Sequence, residues 1–277
     1  MPGDPGGWLP IQRKGMPQIF LLLCLLLAGS ALAGSTRCPS HYLSGAAPDI
    51  LDPTMTAQTH ELCYLAFGVT HSGVTRTPLW SAEHLTRAQL DMAQGLPRLN
   101  RFHAETGLPA GEQAELGDYA HSGYDRGHLS PAADMPSEEA QFEGFTLANM
   151  VPQDPNNNRH LWQRIESVVR KLARADGELY VVTGPIFGGD HPKQLQGRVT
   201  VPTQLYKAVY DLKQNEAAAY VVVNEATNDY QIMDIAELEH LTGVAPFPAL
   251  PASARLPRLA LPPPDARRPP PTTAAAM

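Results

Sequence analysis

Apolar residues recur along this chain with two spacings, which predict one long helix and several strands. From Asn158 to about Ala175 they follow a helical period, and Asp176-Gly177 supplies a stop signal. A second, short helix is predicted from Asp234 to Leu241. Continuously apolar or alternating segments predict strands at residues 63–69, 78–80, 178–183, 205–212 and 217–224, and residues 82–90 are helical or looped.

The order of these elements predicts the fold class. Strands precede and follow a central helix without regular strand–helix alternation, which favours an α+β fold around a central, mainly antiparallel sheet flanked by helices. Residues 95–123 are polar and rich in glycine and proline, so we expect an ordered loop region there rather than a second domain. The segment 183–185, Thr-Gly-Pro, is expected to form a turn.

Both ends of the chain differ in composition from the middle. Arg13 and Lys14 precede an apolar run at residues 19–28, and Ala31-Leu32-Ala33 follows, which is the order of a secretory signal peptide. A membrane anchor is the alternative, but the run is shorter than the roughly 20 residues that span a bilayer. From residue 246 onward prolines and alanines dominate. We therefore predict a signal peptide at 1–33, one domain at 34–245 and a disordered tail at 246–277.

Cleavage after Ala33 would leave two cysteines, Cys38 and Cys63, in an exported protein. An even pair in an oxidising compartment predicts one disulfide, and two free thiols are the alternative. We expect no membrane anchor after cleavage and a secreted or periplasmic location.

The chain is acidic, with a formal charge of −7 that becomes −8 when residues 1–33 are removed. Nucleic-acid binders are usually basic because phosphate contacts dominate their affinity. Composition therefore argues against a tight, non-catalytic nucleic-acid binder, whereas an enzyme needs only a local cationic cleft and a metal.

Three segments concentrate polar residues: 124–129, 149–153 and 158–170. Hydrolysis of a phosphodiester requires a base for the attacking water and positive charge for the transition state. An ordinary imidazole titrates near neutral pH, so His128 is a candidate base, and Gly127 lets the backbone approach closely. For the other nine histidines a surface or structural role is the better interpretation.

In the predicted helix, steps of four residues place Asn158, Trp162, Glu166 and Arg170 on one ridge beside the apolar stripe. Magnesium takes few protein ligands and prefers oxygen, so the Asn158 carbonyl, with Glu166 holding a metal-bound water, would suffice. Two alternatives stay open. Asn158 is also a natural N-cap, and Glu166 and Arg170 also fit an ordinary i, i+4 ion pair.

Other chemistries fit less well. The sequence contains no Cys-x-x-Cys or His-Glu-x-x-His zinc pattern, no P-loop and no Gly-x-Ser-x-Gly elbow.

These residues together resemble a known family. Asp125-Arg126-Gly127-His128, followed in order by Asn149, Pro152-Gln153, Asn158, Trp162 and Glu166, is similar to the DNA/RNA non-specific endonucleases of the ββα-metal superfamily. That family includes secreted bacterial nucleases and mitochondrial endonuclease G. The likeness runs from about Cys63 to Gly243.

The resemblance implies a role for each residue that carries it. His128 would activate water, and Asn158 would bind a hydrated Mg²⁺, for which Mn²⁺ is a possible substitute. Glu166 would bind a metal-coordinated water, Arg126 and Asn149 would contact the phosphate, and Asp125 would support the site from behind. Substrate-binding cations would be Arg170 and an upstream arginine, either Arg98 or Arg101.

The implied activity is endonucleolytic cleavage of DNA and RNA that leaves 5′-phosphates. An enzyme of the same fold that is specialised for one nucleic acid or for oligonucleotides is one alternative. A non-catalytic nucleic-acid or protein binding module on a nuclease scaffold is the other, and the intact His128, Asn158 and Glu166 argue against it. A homodimer and an inhibitor protein are further hypotheses that no residue pattern addresses.

Overall fold

The computed structural model describes residues 36–189, 191–255 and 259–264. The predicted signal peptide and residues 265–277 of the predicted tail lie outside these described residues. Within them, no helix is both long enough and apolar enough to cross a bilayer.

Strands and helices alternate irregularly along the described chain. Its strands are β1 Asp49–Ile50, β2 Thr59–Cys63, β3 Gly68–Ser72, β4 Thr77–Thr86, β5 Asp125–His128, β6 Met150–Gln153, β7 Glu178–Ile186, β8 Gln194–Leu195, β9 Val199–Thr200, β10 Gln204–Asp211, β11 Glu216–Val223, β12 Gln231–Met233 and β13 Val244–Ala245. Its α-helices are α1 Arg87–Ala93, α2 Leu116–Tyr119, α3 Glu138–Gly144, α4 Gln163–Asp176, α5 Ile235–Thr242 and α6 Ala252–Arg255. A π-helical turn, Asn157–Trp162, leads directly into α4.

Seven strands form one sheet in the order β12-β11-β10-β7-β4-β3-β2, and every neighbouring pair is antiparallel. The strands β5 and β6 form a separate antiparallel ribbon, in which His128 lies opposite Met150. The predicted α+β class with a mainly antiparallel sheet is confirmed.

The sheet has an apolar core on each face. On one face, Ile165 and Val169 of α4 pack against Val181 of β7. On the other face, Leu238 of α5 packs in a core that includes Val182. Consecutive residues of β7 thus enter opposite cores, as the two-residue period of a strand requires. The long helix carrying the candidate residues is held against the middle of the sheet.

The predicted strand at residues 63–69 is wrong, because this segment is a hairpin. β2 ends at Cys63 and β3 begins at Gly68. Between them, Tyr64 stacks on the buried Phe67 with ring centroids 4.6 Å apart, and the Tyr64 amide donates to the Phe67 carbonyl over 3.0 Å. A turn that contains a stacked aromatic pair, with Phe67 buried, has the same apolar pattern as a buried strand.

The predicted turn at Thr183-Gly184-Pro185 is also wrong, because these residues lie inside β7. Pairing between β7 and β4 stops at Thr183 opposite Ser81. The amide of Thr203 donates to the Ile186 carbonyl over 2.9 Å, so the backbone of the preceding Pro185 faces the other edge of β7. On that edge no neighbouring strand needs an N–H donor, and proline is tolerated there.

The packed region extends past residue 245, where the sequence placed the start of a disordered tail. Phe247 and Leu250 are buried in the core beside α5, and Leu259 and Leu261 are buried on the α4 face. The Leu259 amide also donates to the Ala217 carbonyl over 3.1 Å. A few well-spaced large apolar residues are enough to bind this proline-rich segment to both cores.

The predicted disulfide between Cys38 and Cys63 is confirmed, with the two Cα atoms 5.6 Å apart. It joins the N-terminal arm to the end of β2. Close to it, Tyr42 packs edge-on against the buried Trp80, with ring centroids 5.8 Å apart. The arm is therefore both covalently tied and packed against the sheet.

Candidate active site

A cavity of about 330 Å³ lies between the β5–β6 ribbon and the first turns of the long helix. Six predicted residues line it: Arg98, Arg126, His128, Asn158, Glu166 and Arg170. A larger cavity of about 750 Å³ lies beside α5 and contains none of the predicted residues in its lining. We assign the chemistry to the smaller cavity because the titratable and cationic side chains converge there.

His128 is the last residue of β5 and is 8% exposed. Its ring packs against Phe145 and Phe102, at centroid distances of 4.8 and 5.7 Å, and its Nε2 has no hydrogen-bond partner among the described residues. Burial, and next the positive charge of Arg98, lower the pKa of His128 from 6.5 to about 3. The imidazole is therefore neutral at neutral pH, with the Nε2 lone pair unpartnered among the described residues.

Gly127 is required for the ribbon that carries His128. A Cβ atom at this position would overlap the side chain of Gln153, its neighbour on β6. The close backbone approach predicted for Gly127 is thus present.

Asn158 is oriented by a carboxylate. Its Nδ2 donates to Asp125 Oδ2 over 3.0 Å. A carboxylate only accepts, so the amide nitrogen must face Asp125, and the described residues make no hydrogen bond to Asn158 Oδ1. Arg159 completes the group by donating to both Asp125 oxygens over 2.6 and 2.8 Å. The predicted supporting role of Asp125 therefore has a physical basis.

The N-cap alternative for Asn158 does not hold. Asp154 is the residue that caps this helix, because its Oδ1 accepts from the amides of Asn156 and Asn157 over 2.9 and 3.0 Å. The Asp154-Pro155 dipeptide carried that signal, since proline favours the first turn of a helix. The side chain of Asn158 thus does not cap the helix.

The ion-pair alternative for Glu166 and Arg170 does not hold either. Arg170 pairs with the buried Asp134, with Nη1 and Oδ1 2.8 Å apart. Glu166 lines the cavity, and burial raises its pKa above the ordinary value despite the positive charges of Arg170 and Lys207. Glu166 is consequently held at the cavity without a direct ion pair to its helix neighbour.

Asn149 does not contact the cavity, which corrects its predicted place beside the phosphate. It is fully buried, and its side chain accepts from the Ser130 amide over 3.0 Å and donates to the carbonyls of Ser130 and Gly144 over 2.9 and 3.0 Å. Its own carbonyl accepts from the Leu129 amide. Asn149 therefore fixes the turn that follows His128.

The cavity is cationic although the whole chain is acidic. Arg126 lies with its guanidinium carbon 4.2 Å from the centroid of Phe102, and Arg98 lies 5.2 Å from that of Phe145. Of the two upstream candidates, Arg98 lines the cavity and Arg101 does not. Arg159 and Arg170 also line the cavity, but each is paired with an aspartate, so among the described residues its unpaired positive charge comes from Arg98 and Arg126.

Lys207, which the sequence did not reveal, lies between the segment that follows His128 and the π-helical turn that carries Asn158. It lies on β10, is 1% exposed, and donates from Nζ to Thr183 Oγ1 over 2.6 Å and to the Leu129 carbonyl over 3.2 Å. Its Nζ is also 5.5 Å from the ring centroid of Trp162 in the π-helical turn. The lysine therefore contacts both the turn after His128 and the turn that carries Asn158.

Glu83 on β4 is a second missed residue and is 3% exposed. Burial, followed by the negative charge of Asp134, raises its pKa well above the ordinary value, and the charges of Lys207 and Arg170 act against this shift. For Lys207 the sequence signal was a charged residue within the apolar segment 205–212. Glu83 gave no such signal, because it precedes His84 in a segment that was predicted to be helical or looped and that forms the end of β4.

The oxygen donors of the cavity suit a hard divalent cation. Asn158 Oδ1 and the Glu166 carboxylate are the oxygen ligand types that Mg²⁺ prefers, and the cavity contains no sulfur ligand. The cluster of Cys38, His41 and Cys63 lies elsewhere, and its two cysteines are joined in the disulfide.

The fold and this cavity define a class of phosphodiester-cleaving proteins, and comparison with known proteins identifies the family. The family model for DNA/RNA non-specific endonucleases matches residues 47–253, and the chain belongs to this family.

Relatives and a solved structure agree with that placement. Nuclease EXOG, mitochondrial, of Danio rerio is 34% identical over 208 residues, which cover 67% of this chain and 59% of that protein. A nuclease of Nostoc sp. is 33% identical over 217 residues, covering 72% of this chain and 76% of its own. The crystal structure of an EndoG/EndoGI complex matches with a TM-score of 0.60 and 25% identity, covering 67% of this chain and 84% of that chain.

The structural match confirms the ββα-metal fold, in which β5, β6 and α4 form the characteristic ββα unit. The chain spans 59% and 58% of the lengths of the Danio rerio and human EXOG relatives.

Proposed function

We propose that this protein is a metal-dependent endonuclease that hydrolyses DNA and RNA without sequence specificity and leaves 5′-phosphate ends. The observation that carries the proposal is the arrangement within one cationic cavity. A neutral imidazole with an unpartnered Nε2 lies there together with an oriented asparagine amide and a carboxylate. Membership of the endonuclease family supports the same reaction.

His128 is the general base of this proposal. Its Nε2 has no partner among the described residues, so it is available to take a proton from the attacking water. Phe145 and Phe102 pack against the imidazole ring and exclude water from it, which favours the neutral form of His128. The buried Asn149 fixes the following turn and thereby the direction of the base.

Asn158 Oδ1 and Glu166 would hold a hydrated Mg²⁺, and Mn²⁺ is the expected substitute. When bound, the ion supplies positive charge to the phosphate and assists departure of the 3′-oxygen. Asp125 holds the Asn158 amide so that its oxygen remains available. Glu166 would accept hydrogen bonds from water molecules bound to the ion.

The arginines bind the phosphate backbone. Arg126, Arg98 and Arg170 line the cavity, and none of them needs a particular base, which is consistent with cleavage independent of sequence.

Cleavage of plasmid DNA and of total RNA by the purified protein, with Mg²⁺ and with EDTA, tests the proposal. We expect both substrates to be degraded only with Mg²⁺, and His128→Ala to abolish cleavage while circular dichroism shows an intact fold. His160→Ala is the matched control, since His160 is an exposed histidine on the same π-helical turn as Asn158. Ordinary turnover by His128→Ala would overturn the mechanism. A folded wild-type protein that binds nucleic acid with and without metal but cleaves none would support the binding-module alternative.

We also propose export, directed by residues 1–33. The composition of that segment and the Cys38–Cys63 disulfide support an oxidising destination. Sequencing the N-terminus of the mature protein tests this, with a start at Gly34 expected. Retention of the leader after secretion, or an organelle destination like the one in the names of the mitochondrial relatives, would overturn it.

The solved EndoG structure is a complex with EndoGI and addresses the inhibition of EndoG. By analogy, we propose that a protein covering the arginine-lined cavity would inhibit this chain. Light scattering after gel filtration would test the homodimer hypothesis.

A further inference from the structure

A second cavity of about 370 Å³ adjoins the catalytic one. Four residues line both: Arg98, Arg126, Asn158 and Arg159. A substrate whose phosphate lies beside Asn158 therefore has its neighbouring nucleotide at the mouth of this second cavity, which we call the flanking cavity.

Aromatic side chains distinguish the flanking cavity from the catalytic one. Phe102, Tyr119 and Tyr124 line it. Tyr119 is 5% exposed, and its hydroxyl has no hydrogen-bond partner among the described residues. Buried hydroxyls usually have a partner, so the unpartnered hydroxyl of Tyr119, a residue that lines this cavity, leaves a hydrogen bond for a ligand to make.

Cations are interleaved with these rings. The Arg126 guanidinium lies 4.2 Å from the centroid of Phe102, and Lys193 Nζ lies 4.7 Å from that of Tyr124. The only carboxylate in the lining, that of Asp125, is already bound by both donor groups of Arg159. The free charge is thus positive, and the site suits a ligand that is both flat and anionic.

Grooves that bind single-stranded nucleic acid combine aromatic surfaces for bases with cations for the backbone. A volume of about 370 Å³ falls within the range of about 300–1,000 Å³ that is typical for small-ligand sites. We infer that the flanking cavity binds an unpaired nucleotide next to the cleaved phosphate, with the Tyr119 hydroxyl hydrogen-bonding the base or sugar. This inference rests on the proposed nuclease function.

A base in a duplex is paired and stacked, so it reaches such a cavity only after being extruded, at a cost of a few kcal/mol. The flanking cavity therefore gives the enzyme a preference for single strands and for unpaired positions over intact duplex.

Tyr119→Phe tests the inference, with kcat/KM measured on a single-stranded oligonucleotide and on the same sequence as a duplex. We expect the single-strand value to fall about 3- to 10-fold, chiefly through KM, which corresponds to one neutral hydrogen bond. The duplex value is expected to change less than about 2-fold. Because the hydroxyl has no partner in the free protein, its removal is expected to leave the melting temperature unchanged or higher.

Tyr206→Phe is the matched control, since Tyr206 is also fully buried with an unpartnered hydroxyl but lies in the core on the opposite face of the sheet. It is expected to change neither substrate. An equal effect of Tyr119→Phe on both substrates, or no effect on either, would overturn the inference.

If the wild-type protein cleaves neither substrate, the proposed function fails, and the cavity is still tested by binding alone. Fluorescence anisotropy of the labelled single strand in EDTA would show weaker binding by Tyr119→Phe than by the wild-type protein and Tyr206→Phe. Equal binding by all three would overturn the inference.

Discussion

Removal of the Asp125 carboxylate isolates the interaction that orients Asn158. In Asp125→Ala the Asn158 amide loses its acceptor at 3.0 Å and is free to rotate. A hydrogen bond to a charged group contributes about 1.5–3 kcal/mol, and each 1.4 kcal/mol is a factor of ten. We therefore expect kcat/KM at limiting Mg²⁺ to fall about 10- to 100-fold, with part of the loss recovered at high Mg²⁺.

The control is Arg159→Gln, which removes the other partner of Asp125. The Arg159 side chain is 65% exposed, so this ion pair contributes at most about 1 kcal/mol and its loss is expected to cost less than about 5-fold. The assay is cleavage of a fluorescent oligonucleotide across a Mg²⁺ titration. Equal losses in the two variants, or a loss in Asp125→Ala that Mg²⁺ leaves unchanged, would refute the reasoning.

Three further predictions concern stability and pH. Replacing Cys38 and Cys63 by serine opens a loop of 25 residues and is expected to lower the free energy of unfolding by about 3.5 kcal/mol, measured by urea denaturation; an unchanged midpoint would contradict it. Gly127→Ala is expected to destabilise by about 1–3 kcal/mol and to lower activity, because its Cβ overlaps the paired strand, whereas Gly117→Ala, with open space around its Cβ, is expected to be neutral. Because the pKa of His128 is lowered to about 3, activity is expected to persist at about pH 5, where an ordinary histidine is protonated. The same burial is expected to lower the free energy of unfolding as the pH falls below 6.5, because the unfolded chain binds that proton at a higher pH than the folded chain. A kcat/KM profile in which the base titrates near 6.5 would contradict the burial of His128.

Six residues that line one cavity could be named from the sequence because phosphodiester hydrolysis demands a base, oxygen ligands and cations. The contacts that hold them could not. Asn158 and Asp125 are 33 residues apart, and no local pattern pairs them. Asn149 illustrates the limit, because its amide suits a phosphate in principle, yet the fold uses every one of its polar groups inside the protein.

A charged residue within a strand is a signal that an analysis of hydrophobic periodicity does not use. Lys207 interrupts an apolar strand, and in the structure its ammonium contacts the Leu129 carbonyl beside His128, the proposed general base. Glu83 is likewise buried in a strand, β4, although the sequence predicted residues 82–90 to be helical or looped. Such positions are costly to bury without a partner, so a charged residue at a core position points to a polar network.

The predicted segment boundaries were wrong where tertiary packing overrides the preference of the local sequence. Tyr64 and the buried Phe67 stack within a turn although their run of apolar residues favours a strand. Leu259 and Leu261 join the core although prolines surround them. In each case a few large side chains pack against elements that are distant in sequence. A pattern of residues within a short sequence window does not reveal such contacts.

The position of the active site within the chain has a consequence for when activity appears. The residues that line the catalytic cavity all lie in the excursion between β4 and β7, which is on the order of 90 residues long. A growing chain therefore contains all the side chains proposed for catalysis before it contains β7 and β10, the strands against which α4 packs. Because β4 can pair with β7 only after the whole intervening segment has been made, we expect nuclease activity to appear late in synthesis and in refolding. A fragment that ends at Asp176 is expected to have no activity.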